Sequence, residues 1–298
     1  MESPRRIPWA GIAALALLVA ALAFFVFKDG DSESSIPTLE RLREAGVVRV
    51  GFANEAPFGY LDTRSGRVTG EAPEIARVLF EKLGIAEIDP VVTEFGSLIP
   101  GLQAGRFDVI AAGMYITPER CAQIAFTNPT YSIGESFLVR SGNPESLHSF
   151  EDVARSDTAR LGVVGGTVEH DYARKTGVPE DRIIIQPDNA AGLDGLRTDR
   201  IDALAVTQLT ARDLLEKIGG SEIEIAAPFE DPIIDGSSVR GFGAFGLRQE
   251  DRDLLNAINR ELESLIGSEE HLELIESFGF SKDNLPGDVT ADDLCRGR

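Results

Sequence analysis

Histidine is scarce in this chain: His148, His170 and His271 are the three histidines among 298 residues, and they are isolated from one another. A protein metal site needs several ligands close together, so we expect no metal site. Gly-x-Ser-x-Gly, His-Glu-x-x-His and phosphate-loop patterns are also missing from the sequence. We therefore predict that the protein has no catalytic residues, needs no cofactor and is not an enzyme.

Basic residues are too few to balance the acidic ones. The chain has 29 Lys and Arg against 49 Asp and Glu, which gives a formal net charge of −20. Such a chain is repelled by nucleic acid and by anionic lipid, so we expect no nucleic-acid partner. With 298 residues, 43% of them hydrophobic, the chain is long enough for about two folded domains.

One glycine pattern resembles a nucleotide-binding motif. The run from Gly241 to Gly246 has the spacing G-x-G-x-x-G. That spacing indicates dinucleotide binding only where a strand–turn–helix unit surrounds it, and none is apparent here. The alternation of Phe242, Ala244 and Gly246 instead predicts a strand over Gly241 to Leu247.

Long apolar runs are absent except at the N-terminus, where Ile7 to Phe27 is an uncharged stretch of 21 residues. As a helix it would be about 30 Å long, enough to cross a bilayer. Arg5 and Arg6 precede it, and basic residues stay in the cytoplasm, so the rest of the protein should lie outside the membrane. We favour an uncleaved anchor over a signal peptide cleaved near Ala23. The protein is then periplasmic or on the outer face of the membrane.

There are two cysteines, Cys121 and Cys295. In an oxidising compartment they are candidates for one disulfide. Two unpaired thiols are the alternative, because the sequence does not show whether they are close.

Strands alternate with short helices along the rest of the chain, which predicts α/β units with mainly parallel sheets. The pattern runs twice, with breaks near residues 138–144 and 226–232. We expect an anchor and tether at 1–35, the first part of lobe 1 at 36–139, lobe 2 at 140–228, and the rest of lobe 1 with the C-terminal helices at 229–298. Ligands of such sheets bind beyond the carboxyl ends of the strands, which places the loops at Glu55, Phe95 and Met114 in one cleft.

The segment Gly113 to Arg120 carries the clearest chemistry. Pro118 suits the first turn of a helix, so backbone N–H groups near Thr117 and the Arg120 guanidinium can converge on an anion there. Arginine is the side chain best suited to a two-point grip on a carboxylate. An ordinary surface arginine beside Glu119 is the alternative.

In this segment and several others the chain resembles the family 3 extracellular solute-binding proteins, the receptors of polar amino-acid ABC transporters. The resemblance covers about residues 38–282. It rests on Val50-Gly51-Phe52 with Pro57-Phe58, Gly105-Arg106-Phe107-Asp108, the Gly113 to Arg120 segment, Gly166-Thr167, and Arg200-Ile201-Asp202-Ala203. It implies a type II periplasmic-binding fold whose hinged lobes close on a ligand, with Arg120 holding the ligand carboxylate. It also implies ABC permease subunits as partners, and we expect a monomer.

Two departures from the family pattern bear on the ligand. Tyr115 stands where a small hydroxyl residue is usual, and Thr207 follows the strand after which an Asp usually binds the ligand's α-ammonium. An unpaired buried ammonium is costly, so the ligand's cation should lie elsewhere or be delocalised. An acid among aromatic faces suits a delocalised cation, and Glu55 with Phe58, Phe95 and Tyr115 would provide it.

This combination resembles the ectoine and hydroxyectoine branch of the family, whose ligands are cyclic amidinium carboxylates. The predicted ligand-binding residues are Glu55, Phe58, Phe95, Tyr115, Thr117, Arg120, Thr167 and Thr207. Three alternatives stay open: a receptor for polar amino acids, a sensory receptor, and a dehydratase of cyclic carboxylic acids with Glu55 or Glu169 as general acid.

Overall fold

The computed structural model describes residues 37–234 and 237–297. Over these ranges the chain forms two α/β lobes, each built on its own sheet. The predicted apolar helix at Ile7 to Phe27 lies outside the described residues. Within the described ranges, no helix is both long enough and apolar enough to cross a bilayer.

The elements follow the predicted alternation. Up to the first crossing they are α1 (Thr38–Ala45), β1 (Val47–Phe52), β2 (Tyr60–Asp62), β3 (Arg67–Thr69), α2 (Glu71–Lys82), β4 (Glu87–Val92), α3 (Leu98–Gln103), β5 (Val109–Tyr115), α4 (Pro118–Cys121), β6 (Ala125–Phe126) and β7 (Tyr131–Ile133). Then come β8 (Glu135–Arg140), α5 (Phe150–Arg155), β9 (Leu161–Val164), α6 (Val168–Lys175), β10 (Ile183–Gln186), α7 (Asn189–Arg197), β11 (Ala203–Thr207), α8 (Gln208–Ile218) and β12 (Ile223–Ile225). The chain continues with β13 (Ile233–Ile234), β14 (Ser237–Ser238), β15 (Gly241–Leu247), α9 (Arg252–Leu265), α10 (Glu269–Glu276) and α11 (Ala291–Cys295).

The lobe 1 sheet has the strand order β4-β1-β5-β15-β6, and β7 also pairs with β15. β1, β4 and β5 are parallel, whereas β15 runs antiparallel to its neighbours. The lobe 2 sheet has the order β10-β9-β11-β8-β12, with β9, β10 and β11 parallel. Parallel strands need helical crossovers, and these helices bury apolar faces such as Ile75, Leu79 and Phe80 of α2 against the sheet.

The chain crosses between the lobes twice. β7 ends at Ile133 in the first sheet and β8 begins at Glu135 in the second, so the first crossing is at Gly134. The predicted break at 138–144 is therefore too late, because β8 begins at Glu135 and its pairing with β11 and β12 makes it part of lobe 2. The return crossing lies between Ile225 and Gly241, which includes the predicted break at 226–232.

Candidate functional site

Loops from the two lobes meet over one small cavity. Its lining consists of Glu55, Phe58, Phe95, Ala112, Gly113, Tyr115, Arg120, Thr167, Val168, Glu169 and Thr207. Seven of the eight residues predicted to bind ligand are in this lining, and Thr117 is the exception. The cavity volume is about 30 Å³, which leaves room for little more than water. Hydrogen bonds from Arg120 to Gly166 and from Asn189 to Glu55 join the lobes across this cleft, so the lobes are closed on each other in this structure.

Arg120 lies on α4, directly after β5, and is buried. Its Nη1 donates to the carbonyl oxygen of Tyr115 at 2.8 Å, and its Nη2 donates across the cleft to the carbonyl oxygen of Gly166 at 3.0 Å. The guanidinium also lies over the Phe95 ring, 5.5 Å from its centroid. A guanidinium has five N–H donors, so these two hydrogen bonds leave capacity for a ligand anion. Burial lowers the pKa of Arg120, and the nearby Glu169 carboxylate opposes that effect.

Thr117 is the predicted residue that lies outside the cavity lining. It is the N-cap of α4, and its side-chain oxygen accepts a hydrogen bond from the Arg120 backbone N–H at 3.2 Å. Its side-chain oxygen is thus used within the loop, where it helps to orient Arg120, and a contact between its backbone N–H and a ligand anion stays a prediction.

Three aromatic rings line the cavity, those of Phe58, Phe95 and Tyr115, and together they are called the aromatic wall. Two of these rings pack against Tyr131. The Phe58 ring stacks on Tyr131 with centroids 5.2 Å apart, and Tyr131 also contacts the Tyr115 ring edge-on at 6.3 Å. A Cβ on Gly241 would lie 1.7 Å from the Tyr115 ring, and one on Gly243 would lie 2.2 Å from the Tyr131 ring. Two glycines of the G-x-G-x-x-G run therefore make room for the rings of this wall, and the run forms strand β15, as predicted.

Glu55 follows β1 and connects to lobe 2. Its Oε1 accepts hydrogen bonds from Nδ2 of Asn189 at 3.2 Å and from Oγ1 of Thr210 at 3.4 Å. Burial raises the pKa of Glu55 to about 7, with a further contribution from Glu169. The buried carboxyl group can therefore be neutral or ionised near neutral pH, and a cation beside it would favour the ionised form.

The two predicted threonines cap lobe 2 helices. Thr167 precedes α6 and donates its hydroxyl to the carbonyl oxygen of Val164 at 2.9 Å. Thr207 caps α8, where its side-chain oxygen accepts from the Thr210 backbone N–H at 3.2 Å. Because Thr210 in turn contacts Glu55, Thr207 helps to position a partner of that acid.

Two further carboxyl groups belong to the site and were not among the predicted ligand-binding residues. Glu169, in the first turn of α6, lines the cavity. Glu135, at the start of β8, is fully buried behind it. Burial raises the pKa of both groups, and in Glu135 the rise takes it well above its usual value, with added repulsion from Glu169 and Asp231. Glu169 could have been inferred from its place after the Gly166-Thr167 turn, but Glu135 carries no comparable signal.

The two cysteines form a disulfide. Cys121 ends α4, Cys295 ends α11, and their Cα atoms are 5.6 Å apart. The bridge holds the C-terminal segment against the short helix that carries Arg120. Of the two interpretations of the cysteines, the bonded one is confirmed.

The sequence profile of the bacterial extracellular solute-binding proteins, family 3, matches residues 48–281. The chain belongs to this family. It is 38% identical over 285 residues to a probable amino-acid ABC transporter periplasmic-binding protein of Sinorhizobium fredii, covering 94% of this chain and 92% of that protein. It is 27% identical to the L-cystine-binding protein of Escherichia coli, over 84% of this chain and 86% of that protein.

Solved structures give the same picture of the fold. The crystal structure of EhuB in complex with hydroxyectoine has a TM-score of 0.80 and 37% identity, covering 88% of this family 3 chain and 98% of EhuB. An ancestral amino acid-binding protein, a precursor of cyclohexadienyl dehydratase, has a TM-score of 0.68 and 26% identity, covering 81% of this chain and 99% of that one. The predicted two-lobed fold and family are confirmed, and the chain is a solute-binding protein of an ABC importer.

Proposed function

We propose that this receptor binds ectoine, hydroxyectoine or a closely similar cyclic amidinium carboxylate and delivers it to ABC permease subunits. One observation carries the proposal: Arg120 and Glu55 line the same cavity together with the aromatic rings of Phe58, Phe95 and Tyr115. A guanidinium suits the ligand carboxylate, while an acid among aromatic faces suits a weakly hydrated delocalised cation. The likeness to EhuB, solved with hydroxyectoine, supports the same ligand class.

The proposed cycle follows from the contacts between the lobes. In the closed state Arg120 bonds Gly166, Glu55 bonds Asn189, and Nζ of Lys175 lies 3.2 Å from Oε1 of Glu119. The open state would expose Arg120 and Glu55, and the ligand would then bridge the lobes as they close. We propose that the receptor acts as a monomer outside the cytoplasmic membrane, tethered by or exported through the segment at residues 7–27.

A receptor for polar amino acids is the second candidate. Glu169 in the cavity lining, with Glu135 behind it, provides acid on the lobe 2 side even though Thr207 replaces the usual Asp. An α-ammonium placed there would not lack a counter-charge. The names of the relatives as amino-acid receptors agree with this candidate.

Calorimetry with ectoine, hydroxyectoine, glycine betaine, glutamine and arginine separates the two. We expect the cyclic amidinium carboxylates to bind most tightly and to be recovered unchanged. Tight binding of glutamine or arginine with no binding of ectoine or hydroxyectoine would reject the proposal in favour of the second candidate. Conversion of a bound cyclic carboxylic acid would instead indicate a dehydratase.

A further inference from the structure

Glu135 and Glu169 form a pair of buried carboxyl groups next to the ligand cavity. Glu135 has no exposed surface, and neither of its carboxyl oxygens has a hydrogen-bond partner among the described residues. The Glu169 carboxyl group, which lines the cavity, is close enough to Glu135 to raise the pKa of Glu135 beyond the effect of burial. Two carboxylates cannot donate to each other, so the contact is favourable only when a proton lies between them.

Charges in the closed cleft do not balance around a zwitterion. Among the described residues that line the cavity, Arg120 is the one cation, and it faces the carboxyl groups of Glu55 and Glu169 with Glu135 directly behind. A zwitterion adds one charge of each sign. If its carboxylate pairs with Arg120 and its cation with Glu55, no cation remains for the Glu135–Glu169 pair. Uncompensated charge is strongly disfavoured away from water.

The groups around the pair do not supply that cation. The groups that interact with its charges are Glu55 after β1, Tyr115 on β5, Arg120 on α4, Tyr131 on β7, Tyr172 on α6 and Asp231 in the return crossing. Burial raises the pKa of all three tyrosines, which keeps them neutral. Asp231 adds negative charge, although Arg240 lies near enough to offset part of it.

We propose that Glu135 and Glu169 form a subsite for one further unit of positive charge in the cleft, and that a proton fills it when the ligand is a zwitterion. The inference rests on the proposed function. The proton comes from solvent as the lobes close and converts one carboxylate of the pair into a carboxylic acid. A ligand with a second cationic group placed at the pair would need no such proton, so these two residues set the net charge that the receptor prefers.

Calorimetry of the full-length protein with hydroxyectoine, in buffers of different ionisation enthalpy at about pH 7.5, measures the protons exchanged on binding. We expect uptake of about one proton per ligand, and above the pKa of the pair in the open state an affinity that falls about tenfold per pH unit. Glu135→Gln and Glu169→Gln supply a neutral group of the same shape and should bring the uptake close to zero. The exposed Glu273→Gln on α10 is the matched control and should keep the wild-type uptake.

The possible results are distinct. Binding by the wild type without proton uptake overturns the inference and leaves the proposed function intact. Uptake that persists in both Gln variants also overturns it, because the proton then binds at another group. If the wild type binds no cyclic amidinium carboxylate, the proposed function fails and this inference fails with it. The pH dependence of wild-type affinity tests the subsite even if a Gln variant does not fold.

Discussion

Arg120 of lobe 1 donates a hydrogen bond to the carbonyl oxygen of Gly166 of lobe 2 at 3.0 Å. The guanidinium proposed to hold the ligand carboxylate therefore also joins the two lobes. Ligand capture and lobe closure depend on the same side chain, and a change at Arg120 should affect both.

Replacing Arg120 tests this dual role. Truncating one partner of a buried charge pair costs about 2–5 kcal/mol, so Arg120→Ala should weaken hydroxyectoine binding roughly thirtyfold or more. Arg120→Lys keeps the charge but loses the planar fork, and we expect an intermediate loss. Calorimetry gives the affinities, with the exposed Arg197→Ala as control. Near-wild-type affinity in Arg120→Ala would contradict this role.

A substitution at Gly241 tests whether the absence of a side chain there is needed to position the Tyr115 ring. Gly241→Ala would place a methyl group where the Tyr115 ring lies, so the ring must move. Overpacking of this kind costs about 1–3 kcal/mol, and we expect both lower thermal stability and weaker ligand binding. Chemical denaturation and calorimetry on the same sample measure the two effects. A stable variant with unchanged affinity would show that the position of Tyr115 is not critical.

The disulfide should contribute to stability. The bridge joins cysteines separated by 174 positions, and loss of a native disulfide typically costs about 2–5 kcal/mol. Cys295→Ser should lower the unfolding free energy by a similar amount. Reductant should destabilise the wild type in denaturation experiments and have no effect on Cys295→Ser. Equal stability of oxidised and reduced wild type would argue against a stabilising bridge.

The buried carboxyl group of Glu71 should make the stability of the protein depend on pH whether or not ligand is bound. Its Oε1 accepts a hydrogen bond from Thr130 at 2.6 Å, its Oε2 has no partner among the described residues, and burial raises its pKa to about 7. A raised folded-state pKa means that the folded protein holds this proton more tightly than the unfolded chain. The contribution of Glu71 to the free energy of unfolding is therefore greatest below the pKa that this group has in the unfolded chain. It is lost as the pH rises from that value to about 7.

Glu71→Gln mimics the protonated acid and should lack that part of the pH profile. Relative to this variant, the wild type should lose up to about 3 kcal/mol of unfolding free energy over that pH range. Denaturation curves of both proteins at several pH values without ligand provide the comparison. Parallel profiles for the two proteins would show that Glu71 does not titrate there.

Local pattern was enough to predict much of the fold. The strand Gly241–Leu247 has its predicted bounds, because alternation is a local signal. The helix Gln208–Ile218 was missed, although Leu209 and Ala211 lie buried on it. Its first turn contains Thr210, so the partner of Glu55 was missed with it.

The site was predicted where single loops determine it. Glu55, Tyr115 and Arg120 lie at or just beyond the carboxyl ends of the parallel strands β1 and β5, and their meeting is a consequence of that topology. The approach of Glu135 to Glu169 is different, since it joins a strand and a helix that are more than thirty residues apart in the lobe 2 sequence. Neither segment has a local pattern that predicts this contact, which depends on the tertiary packing of lobe 2.

The place of β15 in the lobe 1 sheet affects how the chain must fold as it is made. β15 lies between β5 and β6, yet it is synthesised after the whole of lobe 2. Lobe 2 is one continuous stretch and can complete its sheet early, while lobe 1 keeps open strand edges until its last central strand arrives. Because unpaired edges promote aggregation, a nascent or translocating chain should depend on chaperones until residues 241–247 emerge.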